Sequence, residues 1–278
     1  MHAQPLSNPS VELLPADLRS RRHTLNVPRT WLGRSALKLQ DRLEAAVAAA
    51  SVHADTPIYD NAGFPWLREI EAGWQEVRAE LDQVMVFRDH MPSFHEIMPE
   101  VSTITSDADW KTFFLQGIGM DCRENARRCP KTMALLNRIP HAGTAFFSIL
   151  SPHKHIPAHR GAYNGVLRLH LGLLVPEPRQ QCRIRVADQY RDWQEGRALV
   201  FDDSFNHEVW NDTEGYRVVL FVDFARPLRK PWDALNRALL GLGPLAPFLR
   251  EAGNRQKRWE ALFYKTGKTV DGNDSDQH

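Results

Sequence analysis

Apolar positions along the chain follow two different rules, and the change between them divides the sequence. From Trp31 to Ala50, WLGRSALKLQDRLEAAVAAA places Leu32, Leu39, Leu43 and Val47 at helical spacing, which predicts an amphipathic helix. A second helix is predicted in FPWLREIEAGWQEVRAELDQVM, where Leu67, Ile70, Trp74, Val77 and Leu81 recur every three or four residues and Pro65 suits the first turn. Residues 90–130 mix Pro, Gly, Asp and aromatic side chains; CPKTMALLNRIP then reads as a short helix opened by Pro130 and closed before Pro140. At Gly143 the rule changes. TAFFSIL, GVLRLHLGLLV, CRIRVA, ALVFDD, HEVWN and YRVVLFVDF follow at short intervals, each closed by Pro, Gly, Asp or Asn, with no helix-length segment between them. Such a series predicts an antiparallel sandwich or barrel, an all-β core with helical additions.

Helical spacing returns after Pro227, in WDALNRALLGLGPLAPFLREAGNRQKRWEALFYK, with a break at Gly241 to Pro244. TVDGNDSDQH reads as a solvated tail, and the Pro-, Ser- and Arg-rich residues 1–30 as a flexible arm. The expected organisation is an arm over 1–30, a mainly helical part over 31–142 packing on the core, the β core over 143–228, and a helical segment with a tail over 229–278. No internal repeat is present.

Composition narrows the function classes. The 278 residues are 42% hydrophobic, enough for one large core. Thirty-five Lys and Arg against 34 Asp and Glu leave a formal net charge of +1, which lacks the signature of a nucleic-acid binder. Cys122, Cys129 and Cys182 form neither a disulfide framework nor a zinc pattern, as expected of reduced thiols in a cytoplasm. The N-terminus lacks the charged start and apolar run of a signal peptide, and no stretch of about 18 apolar residues predicts a spanning helix.

Two strands carry charge in unexpected places. Alternation in GVLRLHLGL sets Leu167, Leu169, Leu171 and Leu173 on one face and Val166, Arg168 and His170 on the other. An isolated strand would leave Arg168 and His170 in water; inside a small barrel, an inward arginine needs an anion. In YRVVLFVDF, Arg217 interrupts an almost wholly apolar strand, so it needs either a protein carboxylate, with Asp223 on the same face, or the carboxylate of a ligand. His159 in PAHRG and His207 in FNHEVW stand near turn formers at strand boundaries. Neutral imidazole suits iron, zinc and copper, but the His-x-Asp of the usual non-haem iron triad is lacking, because residue 161 is Gly.

From about Trp110 to Pro227 these blocks together, FFSILSPHKHIPAHRG, LRLHLGL, CRIRVADQYRDWQEGRALVFDDSFNHEVWN and YRVVLFVDFARP, resemble the aspartyl/asparaginyl beta-hydroxylase family of Fe(II)- and 2-oxoglutarate-dependent dioxygenases, including bacterial hydroxylases of lipid A and ornithine lipids. The resemblance implies a double-stranded β-helix, a cupin-like jelly roll, with iron near its mouth. It implies that His159 and His207 bind the iron, with water in place of a carboxylate ligand, and that Asp203 holds iron-bound water. Arg217, helped by Ser148, corresponds to the arginine that holds the distal carboxylate of 2-oxoglutarate. His170 corresponds to a residue near its other carboxylate, and Arg168 to one facing cosubstrate and substrate.

The expected reaction consumes O2 and 2-oxoglutarate and hydroxylates a C–H bond beta to a carbonyl. Two positions depart from the peptide-hydroxylating members: cationic residues that hold the substrate carboxylate are Phe146 and Val166 here. A lipid acyl chain is therefore expected as substrate ahead of an Asp or Asn side chain or a small amino-acid metabolite. The segment from Trp232 to Lys265 is expected to pack on the barrel or to rest on a membrane surface. A jelly-roll metal-binding module without turnover is the rival from another class.

Overall fold

The computed structural model describes residues 31–270, with side chains described over 37–264. The arm expected over 1–30 and the tail residues 271–278 lie outside the described residues. Nine strands form two sheets: β1 (Trp110–Gln116), β2 (Ala142–Leu150), β3 (His155–His159), β4 (Val166–Leu174), β5 (Cys182–Val186), β6 (Gln189–Asp192), β7 (Ala198–Phe201), β8 (His207–Asn211) and β9 (Arg217–Ala225). One sheet runs β1-β2-β9-β4-β7 and the other β3-β8-β5-β6, with every neighbour antiparallel. From β2 to β5 the chain crosses to the facing sheet at each step, and it does so again from β6 to β9. This double winding is the jelly roll, a double-stranded β-helix. The part expected to be mainly helical also supplies a strand, β1, which pairs with β2 at the sheet edge. Its sequence, WKTFFLQ, has the aromatic content of a strand but sits alone among turn formers.

Among the described residues eight α-helices surround the sheets: α1 (Trp31–Ala50), α2 (Leu67–Ala72), α3 (Trp74–Met85), α4 (Phe94–Ile97), α5 (Arg123–Arg128), α6 (Pro130–Leu136), α7 (Trp232–Gly241) and α8 (Pro247–Val270). The second helix predicted from periodicity is two, because Gly73 ends α2, its N–H bonding to the Glu69 carbonyl, and α3 restarts at Trp74. Among the described residues no helix is long and apolar enough to cross a membrane.

The two faces of the five-stranded sheet do different work. Leu167, Leu169, Leu171 and Leu173 of β4, with Val218, Leu220 and Val222 of β9, point outward against Leu67, Ile70, Val77, Leu81 and Leu136 of the helices, and all are buried. Each such leucine contributes about 1.5–3 kcal/mol by leaving water. The inward faces hold a second apolar cluster, including Phe114, Phe146, Phe201, Val219 and Phe221, packed on Ile184, Val186 and Val209 of the facing sheet. Arg168 and His170 therefore lie inside the barrel and not in water, because the outward leucines are claimed by the helices.

Candidate active site

Antiparallel pairing of β3 with β8 sets His159 directly opposite His207, and their ring centroids lie 4.1 Å apart. The Nδ1 atom of His159 is 2.8 Å from the Pro157 carbonyl oxygen, and that of His207 is 3.0 Å from the Phe205 carbonyl. A carbonyl only accepts, so each Nδ1 carries the hydrogen and each Nε2 keeps its lone pair. Burial lowers both rings' pKa values, His159 to about 4 and His207 well below the usual range, the latter also through His159 and Arg168. Two neutral imidazoles with oriented Nε2 lone pairs could supply two ligands to a metal ion. Among the described residues no group of three or more His, Cys, Asp or Glu side chains is placed to hold a metal.

Gly161 is required here by close approach. A Cβ on it would stand 2.1 Å from Asp203 Oδ2 and 2.4 Å from Asp203 Cγ, so the Asp203 carboxylate fills the space that a side chain two residues after His159 would use. The Gly161 N–H also donates to the Asp203 carbonyl oxygen at 2.7 Å. Burial pushes the Asp203 carboxyl up to about 7, against the pull of Arg168, and its Oδ1 has no protein partner.

Along β4 and β9 the inward side chains form rungs. Arg168 stands opposite Asp223, His170 opposite Phe221, and Gly172 opposite Val219, while Phe221 also faces Phe146 of β2. Arg168 donates from Nε to Asp223 at 2.9 Å and from Nη2 at 3.1 Å, and its Nη2 lies 2.9 Å from Asp203; its guanidinium covers the Phe221 ring at 4.1 Å. Asp223 thus belongs to Arg168 and not to Arg217, which the strand sequence alone had made its neighbour. Cross-strand register made the choice.

Arg217 is left in an unusual state for a buried cation. It is 1% exposed, and among the described residues it has no carboxylate partner. Its Nη1 is 3.5 Å from Ser148 Oγ, its Nε has no acceptor, and its guanidinium lies 4.6 Å from the Trp193 ring centre. Burial lowers its pKa to about 10. Ser148 Oγ already accepts from Trp110 Nε1 at 3.0 Å, so with Arg217 beside it the hydroxyl hydrogen is free to donate elsewhere. His170, 5% exposed between Phe201, Phe221 and Trp193, has no hydrogen bond on either nitrogen and is kept neutral by burial, Arg217 and Arg168. These orphaned donors inside one barrel fit a small dicarboxylate and its metal.

Trp110 and Trp193 were not singled out from the sequence. Trp193 reaches this rung because the backbone at Gln194 crosses β4 over Gly172, where a Cβ would stand 2.2 Å from the Gln194 carbonyl oxygen. Glycine in the middle of an apolar strand was the available signal. A surface cleft of about 600 Å³ is lined by Trp193, Leu199 and residues 58–61, and none of the site's charged side chains lines it.

The sequence profile of the Aspartyl/Asparaginyl beta-hydroxylase family matches residues 71–227. An ornithine lipid ester-linked acyl 2-hydroxylase of Rhizobium tropici is 51% identical over 208 residues, which is 75% of this chain and 74% of that one. The human aspartyl/asparaginyl beta-hydroxylase is 33% identical over 170 residues, covering 59% of this chain but only 22% of the human protein. Among solved structures, a Pseudomonas putida prolyl-4-hydroxylase aligns with 55% of this chain and 87% of its own at 15% identity, with a TM-score of 0.37. By its sequence, over more than half its length, the chain belongs to the aspartyl/asparaginyl beta-hydroxylase family of hydroxylases.

Proposed function

We propose that this protein is a cytoplasmic Fe(II)- and 2-oxoglutarate-dependent dioxygenase that hydroxylates the acyl chain of a membrane lipid. The observation that carries the reaction class is Arg217: a guanidinium buried without a carboxylate, beside a serine hydroxyl free to donate, in the same barrel as two imidazoles with free Nε2 atoms. His159 and His207 would hold the iron; Arg217 and Ser148 would hold the distal carboxylate of 2-oxoglutarate, and His170 would face its other end. When bound, iron supplies the coupling of 2-oxoglutarate oxidation by O2, to succinate and carbon dioxide, with transfer of one oxygen atom to a C–H bond. Asp203, against Gly161 two residues after His159, keeps an unpartnered Oδ1 that would accept a hydrogen bond from a bound water. Phe146, Phe221 and Trp193 exclude bulk water from the rungs.

The acyl substrate rests on charge as well as on the Rhizobium relative. Phe146 is stacked on Phe221 at 4.2 Å, and Arg168, the cation facing the mouth, is already neutralised by Asp203 and Asp223. An acidic side chain would find no free cation there, whereas an alkyl chain loses nothing. The Rhizobium relative's name places its hydroxyl on carbon 2, next to the acyl carbonyl, one carbon nearer than the beta carbon read from the family name. Incubation of iron-loaded protein with 2-oxoglutarate, ascorbate and either ornithine-lipid dispersions or an Asp/Asn peptide tests both levels. Succinate formation that His207→Ala abolishes establishes the reaction class, and fragmentation of a lipid heavier by one oxygen locates the hydroxyl. Succinate coupled only to the peptide would replace the lipid; iron bound with no succinate from any substrate would leave a binding module.

A further inference from the structure

α7 is amphipathic in the reverse sense. Leu235, Leu239 and Leu242, spaced to share one stripe, are 41–56% exposed, and Leu245 and Phe248 in the following turn are 61% and 42% exposed. The side chain that α7 buries is polar: Asn236 donates to the Gly165 carbonyl at 2.8 Å and accepts from the Tyr163 hydroxyl at 2.9 Å. A helix in water turns its leucines inward; this one is pinned by an asparagine with its leucines outward. Half of the ten large apolar side chains exposed among the described residues lie between 235 and 248.

Two further observations indicate what covers this face. Between Arg229 and Arg258 there are seven cationic residues against only Asp233 and Glu251, in a chain whose formal net charge is +1. Both acids are paired with an arginine four residues on, at 2.8 Å. Beneath α7 lies a cavity of about 290 Å³ lined by Ile118, Val166, Asp223, Phe224, Arg237 and Leu240. Val166 is the inward residue just before Arg168 on β4, and Asp223 is the partner of Arg168. The leucine stripe and the cavity therefore lie on opposite sides of α7: the stripe faces outward, while Arg237 and Leu240 roof a mainly apolar cavity whose floor includes the outermost rung of the site.

We propose that α7 and the turn after it dock on an anionic lipid bilayer, and that the cavity beneath α7 admits an acyl chain from that bilayer to the barrel. The second clause rests on the acyl-hydroxylase reading; the first does not. An apolar stripe flanked by cations fits a surface of anionic headgroups, while a second copy of the chain would bring like charges together.

Flotation of the full-length protein with phosphatidylcholine vesicles, with and without phosphatidylglycerol, tests the docking. The wild type is expected to float with the phosphatidylglycerol vesicles. Leu235→Ser/Leu239→Ser/Leu242→Ser should lower partitioning at least about tenfold, with an unchanged melting curve because the three side chains are exposed. Lys230→Glu/Lys257→Glu, which keeps the leucines, should lose the preference for phosphatidylglycerol. A wild type that stays off both vesicles, or a leucine variant that floats as well as the wild type, overturns the docking. So does a wild-type dimer in sedimentation that the leucine variant dissociates. Vesicle binding without acyl hydroxylation would sink the acyl reading alone; hydroxylation of detergent-dispersed lipid by a protein that binds no vesicle would sink the platform alone.

Discussion

Two arginines on the β9 strand and its exit, nine residues apart, are buried to the same degree and live in opposite circumstances. Arg226, 0% exposed, is clamped by Asp202, itself fully buried, and by Asp55 at 3.3 Å. Asp202 also accepts from the Ser204 N–H and hydroxyl. Although Arg226 Nε has no acceptor, the two carboxylates match the guanidinium's charge and tie the residues after β7 to the end of β9. Arg217 has a tryptophan face, a distant serine oxygen and no anion. Burial of a guanidinium is tolerated when its charge is matched. The difference teaches that buried charge by itself marks nothing; buried charge without its counterion is the feature that makes a candidate binding site.

Removing each arginine breaks the comparison most sharply. Arg226→Met should lower unfolding free energy by about 3–5 kcal/mol, because Asp202 is stranded in the core, as denaturant titration would show. Arg217→Met should stay within about 1 kcal/mol of wild type, since no partner is stranded, and yet lose succinate formation. Anaerobically, with iron, 2-oxoglutarate at a hundred times its Kd should stabilise the wild type by about 2.7 kcal/mol and should not stabilise Arg217→Met. Equal loss of stability in the two variants would make Arg217 a structural residue.

Arg168 lies between these extremes, paired with two acids while lining the mouth. Gly161→Ala forces a methyl against Asp203, its nearest carboxylate oxygen being 2.1 Å away, and should cost about 1–3 kcal/mol. Adding Asp203→Ala should recover most of that loss, because the clash is with the side chain and not with backbone. A double variant no more stable than Gly161→Ala would place the clash elsewhere.

The smallest effect is a control outside the barrel. Burial pushes the Glu260 carboxyl up from 4.5 to about 7, although Asn125 N–H and Gln256 donate to it. The folded state therefore binds the proton more tightly than the unfolded chain, so stability falls as pH rises between about 4.5 and 7. Glu260→Gln should flatten that slope and, at pH 8, gain on the order of 1 kcal/mol after allowance for solvent reaching the carboxyl. Melting curves from pH 4.5 to 8 would show it, with succinate formation unaffected. A slope unchanged in the variant would assign it to another group.

The sequence by itself determined what is local. Alternation along β4, the short closed blocks after Gly143 and the helical spacing on either side sufficed for the fold class, and ordered blocks from Trp110 to Pro227 sufficed for the family. Phe146 and Val166 were legible as departures from it. Tertiary structure decided what depends on distant partners: that the leucine face of β4 belongs to α2 and α3, so that Arg168 and His170 point inward; that register assigns Asp223 to Arg168 and leaves Arg217 without a carboxylate; that Asp203 occupies the space above Gly161; and that the chain at Gln194 crosses Gly172 and brings Trp193 to the Arg217 guanidinium. Only there, too, did α7 show its leucines outward, because Asn236 finds its partners on the loop before β4. Periodicity records which side chains share a face. Which face meets protein and which is left for a ligand is set by contacts between residues far apart in the chain.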